Sequence, residues 1–149
     1  ADELREFIDT NHLQGLVKAK YGLGLKAEGV LVAAASFSEP RKMTIEHDEP
    51  YLSGELIRFC NARGYRVYGG LDKLLKHYIR LFKVNDIMTY SDIDWSDGAV
   101  YEKLGFKKKE TLEPMAFELI GRNRKRIHEP EPNGKYIWNS GSDKFILVL

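Results

Sequence analysis

The chain has 149 residues, which is the length of a single domain. Hydrophobic residues make up 43% of it, aromatic residues 11% and charged residues 30%, and this composition excludes collagenous, low-complexity and wholly disordered proteins. A net charge of only +1 argues against a general nucleic-acid coat. The charge is uneven, however, with −3 over residues 1–60 and +4 over residues 61–149. The basic half is therefore suited to attract phosphate groups, on a cofactor or on a polynucleotide.

The cysteine and histidine content argues against disulfides and zinc. Cys60 is the only cysteine and cannot form an internal disulfide, and the four histidines have no ligand-like spacing. No apolar run approaches the roughly 20 residues of a membrane span, and residues 1–5 resemble neither a signal peptide nor a transit segment. We therefore expect no metal site, no membrane contact and an intracellular, reducing compartment, namely the cytoplasm.

The hydrophobic pattern predicts a chain in which strands outnumber helices. Residues 2–11 carry apolar side chains at helical spacing and predict a short helix. Residues 21–26 and 30–37 predict the two strands of a hairpin. The next predicted elements are a strand at 55–60, the clearest helix at 71–82, a strand at 86–90 and a short helix at 99–104 that Gly105 ends.

Two further hairpins are predicted towards the C-terminus. Residues 106–109 are expected to pair with residues 115–120, and residues 136–138 with residues 145–149 across a turn rich in Asn, Ser and Gly. This order of elements indicates a single α+β domain over residues 1–149. Its central sheet is predicted to be mixed, mostly antiparallel and flanked by helices.

Residues 66–71 place two consecutive glycines, Gly69 and Gly70, at the start of the clearest predicted helix. Glycine lets a backbone approach a ligand closely, and the unpaired N–H groups at the positive end of a helix suit a phosphate. The alternative is a tight turn between strand and helix that binds nothing. The segment is neither a Walker motif nor Gly-x-Gly-x-x-Gly.

A second segment, residues 101–106 (Tyr-Glu-Lys-Leu-Gly-Phe), follows the strand predicted at 86–90. The two segments together resemble the GNAT superfamily of N-acetyltransferases. That signature is an Arg/Gln-x-x-Gly-x-Gly/Ala loop that opens a helix, then a strand and a Tyr-x-x-x-Gly-Phe segment. Arg66 and Gly69 match the loop, whereas Leu71 stands where the family has Gly or Ala.

A narrower resemblance covers nearly the whole chain. GNAT-like domains encoded by phages and mobile introns, often beside homing endonucleases, have similar segments. The segments that carry this resemblance are residues 11–15, 55–61, 69–70, 90–92, 95–96 (Trp95 and Ser96) and 139–141.

The superfamily resemblance implies acyl-CoA-dependent N-acetylation of an amine by direct transfer, with acetyl-CoA as the acyl donor. It implies a cofactor site on the third predicted strand, on the loop that follows it and at the end of the next strand. The implied cofactor-binding residues are Phe59, Cys60, Arg66, Val67, Tyr68, Gly69, Gly70, Leu71 and Asp94.

Direct transfer needs a base that deprotonates the amine and an acid that protonates the leaving thiolate. The resemblance implies that Tyr101 is the acid, although a tyrosine that only fills the core is an alternative. Glu55 is the candidate base, since it begins the strand that carries the base in the family. The alternative for Glu55 is a solvated carboxylate without a catalytic role, and Asp92 and Asp94 are the other candidates for the base.

The densest basic run consists of Arg122, Arg124, Lys125 and Arg126. Such a run is either a solvated surface or a phosphate-binding face for RNA, DNA or the 3′-phosphate of coenzyme A. The run therefore keeps a second hypothesis open, in which the chain is a non-catalytic GNAT-like module. Such a module binds nucleic acid or a protein partner in a larger assembly.

Overall fold

The structure is a computed structural model that describes residues 2–43, 49–94, 97–121, 123–132 and 134–149. Trp95, Ser96 and Arg122, which the sequence analysis singled out, lie outside the described residues. The chain divides into two compact units, Ala1–Met88 with Val148–Leu149 and Thr89–Leu147. The prediction that residues 1–149 form one domain stays a prediction.

Helices and strands confirm the predicted α+β class with a mostly antiparallel sheet. In the described residues the helices are α1 (Asp2–Asn11), α2 (Gly70–Phe82) and α3 (Ala99–Lys103). The strands are β1 (Tyr21–Ala27), β2 (Val30–Phe37), β3 (Arg41–Lys42), β4 (Leu52–Asn61), β5 (Asp86–Asp92), β6 (Lys107–Leu112), β7 (Ala116–Ile120), β8 (Asn123–Ile127), β9 (Ile137–Trp138) and β10 (Ser142–Val148). No helix in the described ranges is long and apolar enough to cross a membrane.

The sheet of the first unit runs in the order β1, β2, β4, β5, and β3 pairs with the start of β4. β1 and β2 are antiparallel neighbours, which confirms the predicted hairpin. β2 and β4 are also antiparallel, but Ser36 pairs with Arg58 while Phe37 pairs with Leu56. Ile57 is therefore an extra residue, and β4 contains a β-bulge at that position.

Helices cover both faces of this sheet because β2 carries very small side chains. Ala33, Ala34 and Ala35 are completely buried. Ala34 packs in one cluster with Ile8 of α1 and Cys60 of β4. Successive side chains of a strand point to opposite faces, so Phe37 lies on the other face, where its ring stacks on Tyr78 of α2 at 4.2 Å between centroids.

Helix α2 forms where apolar residues recur at helical spacing, and its buried side chains include Leu71, Leu74, Leu75 and Tyr78. The Tyr78 hydroxyl donates a hydrogen bond to the Ser38 carbonyl oxygen at 3.2 Å. A Cβ atom at Gly54 would lie 2.6 Å from that hydroxyl. Glycine at position 54 is therefore what lets β4 pass so close to the helix.

The second unit contains two separate sets of paired strands. β10 pairs with β6, again antiparallel, while β7 lies between β8 and β9 in a three-stranded sheet. Both C-terminal hairpin predictions are therefore wrong. Hydrophobic alternation places strands along a chain but does not select their partners. The polar segment of β8, which no periodicity marked as a strand, supplies the antiparallel partner of β7.

Candidate functional site

The loop before α2 has the geometry of an anion cradle. Gly69 has φ 68° and is followed directly by the helix, whose first hydrogen bond runs from the Lys73 N–H to the Gly69 carbonyl oxygen at 3.0 Å. The Gly70 N–H donates to the Val67 carbonyl oxygen at 3.3 Å. In the described ranges no acceptor is bonded to the N–H groups of Leu71 and Asp72. These two donors stand at the positive end of the helix, where an anion is stabilised.

The outer side of this loop is open. A Cβ atom at Gly69 would meet nothing within 4 Å among the described residues, and the same holds at Gly64. The Tyr68 side chain is 85% exposed, and Arg66 is exposed as well. A ligand can therefore reach the backbone from solvent, with the side chains of Arg66 and Tyr68 beside it.

Leu71 departs from the small residue of the GNAT loop pattern, but its side chain does not cover the loop. It is only 5% exposed and belongs to the buried set of α2. Its side chain points into the core, whereas its N–H is one of the two unbonded donors. The departure therefore leaves the approach to the backbone open.

Phe59 and Cys60 lie at the end of β4, shortly before the loop. Cys60 is buried against α1, and burial raises the pKa of its thiol to about 11. The thiol is thus protonated at neutral pH and is not a reactive nucleophile. Phe59 is half-buried. The turn that follows is fixed to α1, because the Arg63 N–H donates to the Asn11 side-chain oxygen at 2.9 Å.

Glu55 lies within β4, three residues after the strand begins, and not at its start. Its side chain is 22% exposed, and its carboxylate lies 3.6 Å from a guanidinium nitrogen of Arg41. Its carbonyl oxygen accepts a hydrogen bond from the Ser38 N–H at 3.0 Å. Glu55 is therefore a partly buried and ion-paired carboxylate, not a fully solvated one.

His12 is a polar residue of the first unit that the sequence analysis gave no role. It follows α1 directly, and its Nδ1 accepts a hydrogen bond from the Gln14 N–H at 3.0 Å. Burial and the charge of Arg58 lower the pKa of His12 to about 4. Arg58 in turn donates through Nε to the Gly15 carbonyl oxygen at 3.1 Å. The imidazole is therefore neutral at pH 7, and in the sequence His12 appeared only within residues 11–15, one of the segments that carry the narrower resemblance.

Tyr101 lies on α3 in the second unit and is half-buried. Its ring centroid is 5.6 Å from that of Phe106 and 5.6 Å from that of Phe145. Gly98, at the start of α3, is held close to the Phe145 ring, which a Cβ atom would strike. The aromatic contacts fix the position of the Tyr101 ring, which is what a tyrosine needs both for packing and for a positioned hydroxyl.

Asp94 belongs to a hydrogen-bonded network that surrounds Asp92. The Asp92 carboxylate accepts from a guanidinium nitrogen of Arg124 at 2.8 Å, from the Asn139 amide at 3.2 Å and from the Asp94 N–H at 3.0 Å. The Asp94 carboxylate accepts the Ser140 N–H at 3.1 Å. Hydrogen bonds from Ser140 lower the pKa of Asp94. Both carboxylates are thus engaged in fixing the segment after β5.

The described basic residues 124–126 form part of β8 and do not share one face. Arg124 is 16% exposed at its side chain, is paired with Asp92 and lies 4.4 Å from the centre of the Phe117 ring. Lys125 is registered opposite Glu118, and Arg126 opposite Phe117. Because side chains alternate along a strand, Lys125 points away from the face that holds Arg124 and Arg126. The fourth member of the run, Arg122, lies outside the described residues.

The two units each hold part of the predicted site. The first contains Glu55, Phe59, Cys60 and the loop of residues 66–71, and the second contains Tyr101 and Asp94. Among the described residues no group of three or more His, Cys, Asp or Glu side chains could hold a metal ion.

Solved structures of N-acetyltransferases are similar to this chain. A chain of the NatC complex bound to Gag peptide and CoA is 13% identical, with a TM-score of 0.59 over 99% of this chain and 89% of that one. The ribosomal-protein-S18-alanine N-acetyltransferase from Escherichia coli is 14% identical, with a TM-score of 0.58 over 97% and 84%. An acetyltransferase of the GNAT family from Bacillus anthracis is 15% identical, with a TM-score of 0.55 over 99% and 87%.

No protein-family model matches the chain, and no curated protein matches it either. At the identities of the solved structures, the likeness shows the fold alone. That fold is the α+β fold of GNAT N-acetyltransferases, as the loop and tyrosine segments led us to expect.

Proposed function

We propose that this protein is an N-acetyltransferase that transfers an acetyl group from acetyl-CoA directly to an amine. The observation that carries the proposal is the loop of residues 66–71, with two unbonded N–H groups at the start of α2 and open space outside Gly69. The fold supports it, since the similar structures are N-acetyltransferases, one of them bound to a peptide and CoA.

The loop fits the pyrophosphate of coenzyme A. The N–H groups of Leu71 and Asp72 would donate to it, and the exposed guanidinium of Arg66 would lie beside its negative charge. Acetyl-CoA supplies the acyl group as a thioester. Phe59, Cys60, Val67, Tyr68 and Asp94 remain candidate cofactor contacts.

The chain offers one base and one acid for direct transfer. The Glu55 carboxylate, which lies 3.6 Å from a guanidinium nitrogen of Arg41, would take the proton from the acceptor amine. The Tyr101 hydroxyl would give its proton to the leaving thiolate, with its ring held by Phe106 and Phe145.

Thermal unfolding with and without acetyl-CoA tests the proposal. At about 100 times the dissociation constant, the ligand should stabilise the fold by roughly 2.7 kcal/mol. Asp72→Pro removes one of the two N–H groups at a first-turn position where proline is tolerated, and should reduce the shift. Asp72→Ala is the control: like the proline variant it loses the ion pair with Lys76, but it keeps the N–H. It should therefore retain the rise in melting temperature with acetyl-CoA. An unchanged melting temperature of the parent protein at millimolar acetyl-CoA would contradict the proposal.

The second hypothesis, a non-catalytic module, has less support in its nucleic-acid form. Arg124 is bound to Asp92, and Lys125 lies on the opposite face of β8 from Arg126. Binding to RNA or DNA through this run therefore requires Arg126 with residues from outside the strand. The likeness to phage and mobile-intron domains stays a prediction.

A further inference from the structure

A groove of about 590 Å³ lies between strand β1 and helix α2 in the first unit. Leu23 and Leu25 of β1 and Leu74 and Ile79 of α2 supply aliphatic side chains to it, and the backbone at Gly24 is part of its wall. None of these residues belongs to the loop, the base or the acid that we assign to acyl transfer. The groove therefore has no role in the proposed reaction.

The edge of β1 beside this groove is available for pairing. β1 stands at one end of the strand order, and among the described strands it pairs with β2 alone. Gly22 and Gly24 are both exposed, although the Leu4 side chain of α1 lies against one face of the strand at these two positions. An exposed strand edge is a ready template for an added strand, and natural proteins usually protect such edges.

The rim of the groove is basic. Its four cationic or titratable residues occupy positions i, i+3, i+4 and i+7 of α2, which places them on one stripe of the helix: Lys73, Lys76, His77 and Arg80. Lys76 is paired with Asp72 at 2.7 Å. In the described part of the chain no carboxylate lies within ion-pairing distance of Lys73 or Arg80.

We propose that this groove binds an extended acidic segment of a partner protein, which adds to the edge of β1 as a further strand. Main-chain hydrogen bonds to β1 give the segment its register, and alternate side chains enter the aliphatic groove. Acidic side chains of the segment meet Lys73 and Arg80. A polypeptide fits better than a nucleic acid, since no Phe, Tyr or Trp on which bases could stack is among the described residues that line the groove.

Fluorescence anisotropy on the full chain tests the proposal with labelled seven-residue peptides, the length of β1. The peptides alternate glutamate with valine, leucine or isoleucine, and matched peptides carry lysine in place of glutamate. The glutamate peptides should bind at least about tenfold more tightly than the lysine peptides, because charge complementarity selects the partner. Failure of every glutamate peptide to bind saturably would overturn the proposal.

Two double variants and one modified peptide test the charge complementarity and the main-chain pairing separately. The double variant Lys73→Glu with Arg80→Glu should weaken binding by about tenfold or more. The control is Lys107→Glu with Lys109→Glu, at exposed positions of β6 outside the groove. It should change binding less than about twofold. Glutamate peptides N-methylated at alternate residues keep their side chains but cannot pair, and should not bind. Equal binding of methylated and unmethylated peptides, or equal losses in the two double variants, would overturn it. So would binding of oligo-dT that depends on Lys73 and Arg80 in place of peptide binding.

Discussion

The first unit is organised by apolar packing, whereas the second depends on hydrogen bonds to a few polar side chains. In the first, a strand of buried alanines lies between two helices, and Tyr78 stacks on Phe37. In the second, the Asp92 carboxylate accepts from Arg124 and Asn139, and the Asn139 oxygen in turn accepts the Met115 N–H at 2.7 Å. Packing energy is spread over many contacts, but a polar network fails when one partner is removed. The two units should therefore respond differently to single substitutions.

The largest effect is expected at Tyr101, where the packing of the second unit and the proposed chemistry meet. Tyr101→Phe keeps the ring that contacts Phe106 and Phe145 but removes the proton donor. Turnover should fall by about 10² to 10⁴, the usual contribution of general acid catalysis. Steady-state kinetics measures turnover, and titration should show unchanged affinity for acetyl-CoA. A Phe variant as active as the parent would reduce Tyr101 to a packing residue.

The polar network of the second unit is broken by Arg124→Met. This change keeps an apolar side chain over Phe117 but leaves the Asp92 carboxylate, which is only 7% exposed, without its cation. We expect the free energy of unfolding, measured with urea, to fall by about 2 to 3 kcal/mol, which is less than the cost of breaking a wholly buried ion pair. The matched control Lys125→Met lies one residue away on the exposed face and should cost less than about 0.5 kcal/mol. Equal losses would mean that the ion pair does not organise this unit.

The packing of the first unit is tested at Gly54. Gly54→Ala places a methyl group against the Tyr78 hydroxyl, and overpacking of this kind costs about 1 to 3 kcal/mol. Gly22→Ala is the control, because a Cβ atom there lies at an ordinary 3.5 Å from Leu4. The control should change stability by less than about 0.5 kcal/mol in the same urea titration. A Gly54 variant as stable as the parent would show that α2 can move away from β4 without loss.

The smallest effect concerns His12, a polar group inside the apolar unit. Its pKa is 6.5 when unfolded and about 4 when folded, so the unfolded chain binds a proton first as the pH falls. Stability is therefore lost between pH 6.5 and pH 4, by about 1 to 2 kcal/mol for a half-buried group. His12→Gln should unfold with a flatter pH dependence over this window. Parallel curves for parent and variant would remove His12 from the pH response.

The two units also differ in how well their sequences predict them. The β1–β2 hairpin and α2 were predicted with nearly correct bounds, because their apolar residues repeat at the period of the element. β4 was also predicted, but it begins at Leu52 and not at residue 55. In the second unit the strands at β6, β7 and β10 were found but paired wrongly. The partner of β6, which is β10, lies far along the chain. The partner of β7 is β8, which follows it directly, but β8 is polar and lacks the hydrophobic alternation that marks a strand. Its contact from Arg124 to Asp92 spans 32 residues.

The site residues divide along similar lines. The loop around Gly69 was predictable, since consecutive glycines before an amphipathic helix are a local signal. The ion pair of Glu55 with Arg41 and the lowered pKa of His12 were not, because both depend on burial and on neighbours from other elements. The burial of the Leu71 side chain leaves the loop open. It was not predictable either, because it also depends on packing against other elements.

The β-bulge at Ile57 divides β4 into two half-strands of opposite phase. Leu56 lies opposite Phe37 on the α2 face, while Cys60, four residues later, lies opposite Ala34 on the α1 face. Strict alternation would put both on one side. Glu55 and Phe59, which also have the same parity, are therefore directed to opposite sides of the sheet. If Ile57 were deleted, Leu56 and Cys60 would be three residues apart, and strict alternation in a strand without a bulge would still direct them to opposite sides. The bulge is therefore what accommodates a spacing of four residues between these two side chains.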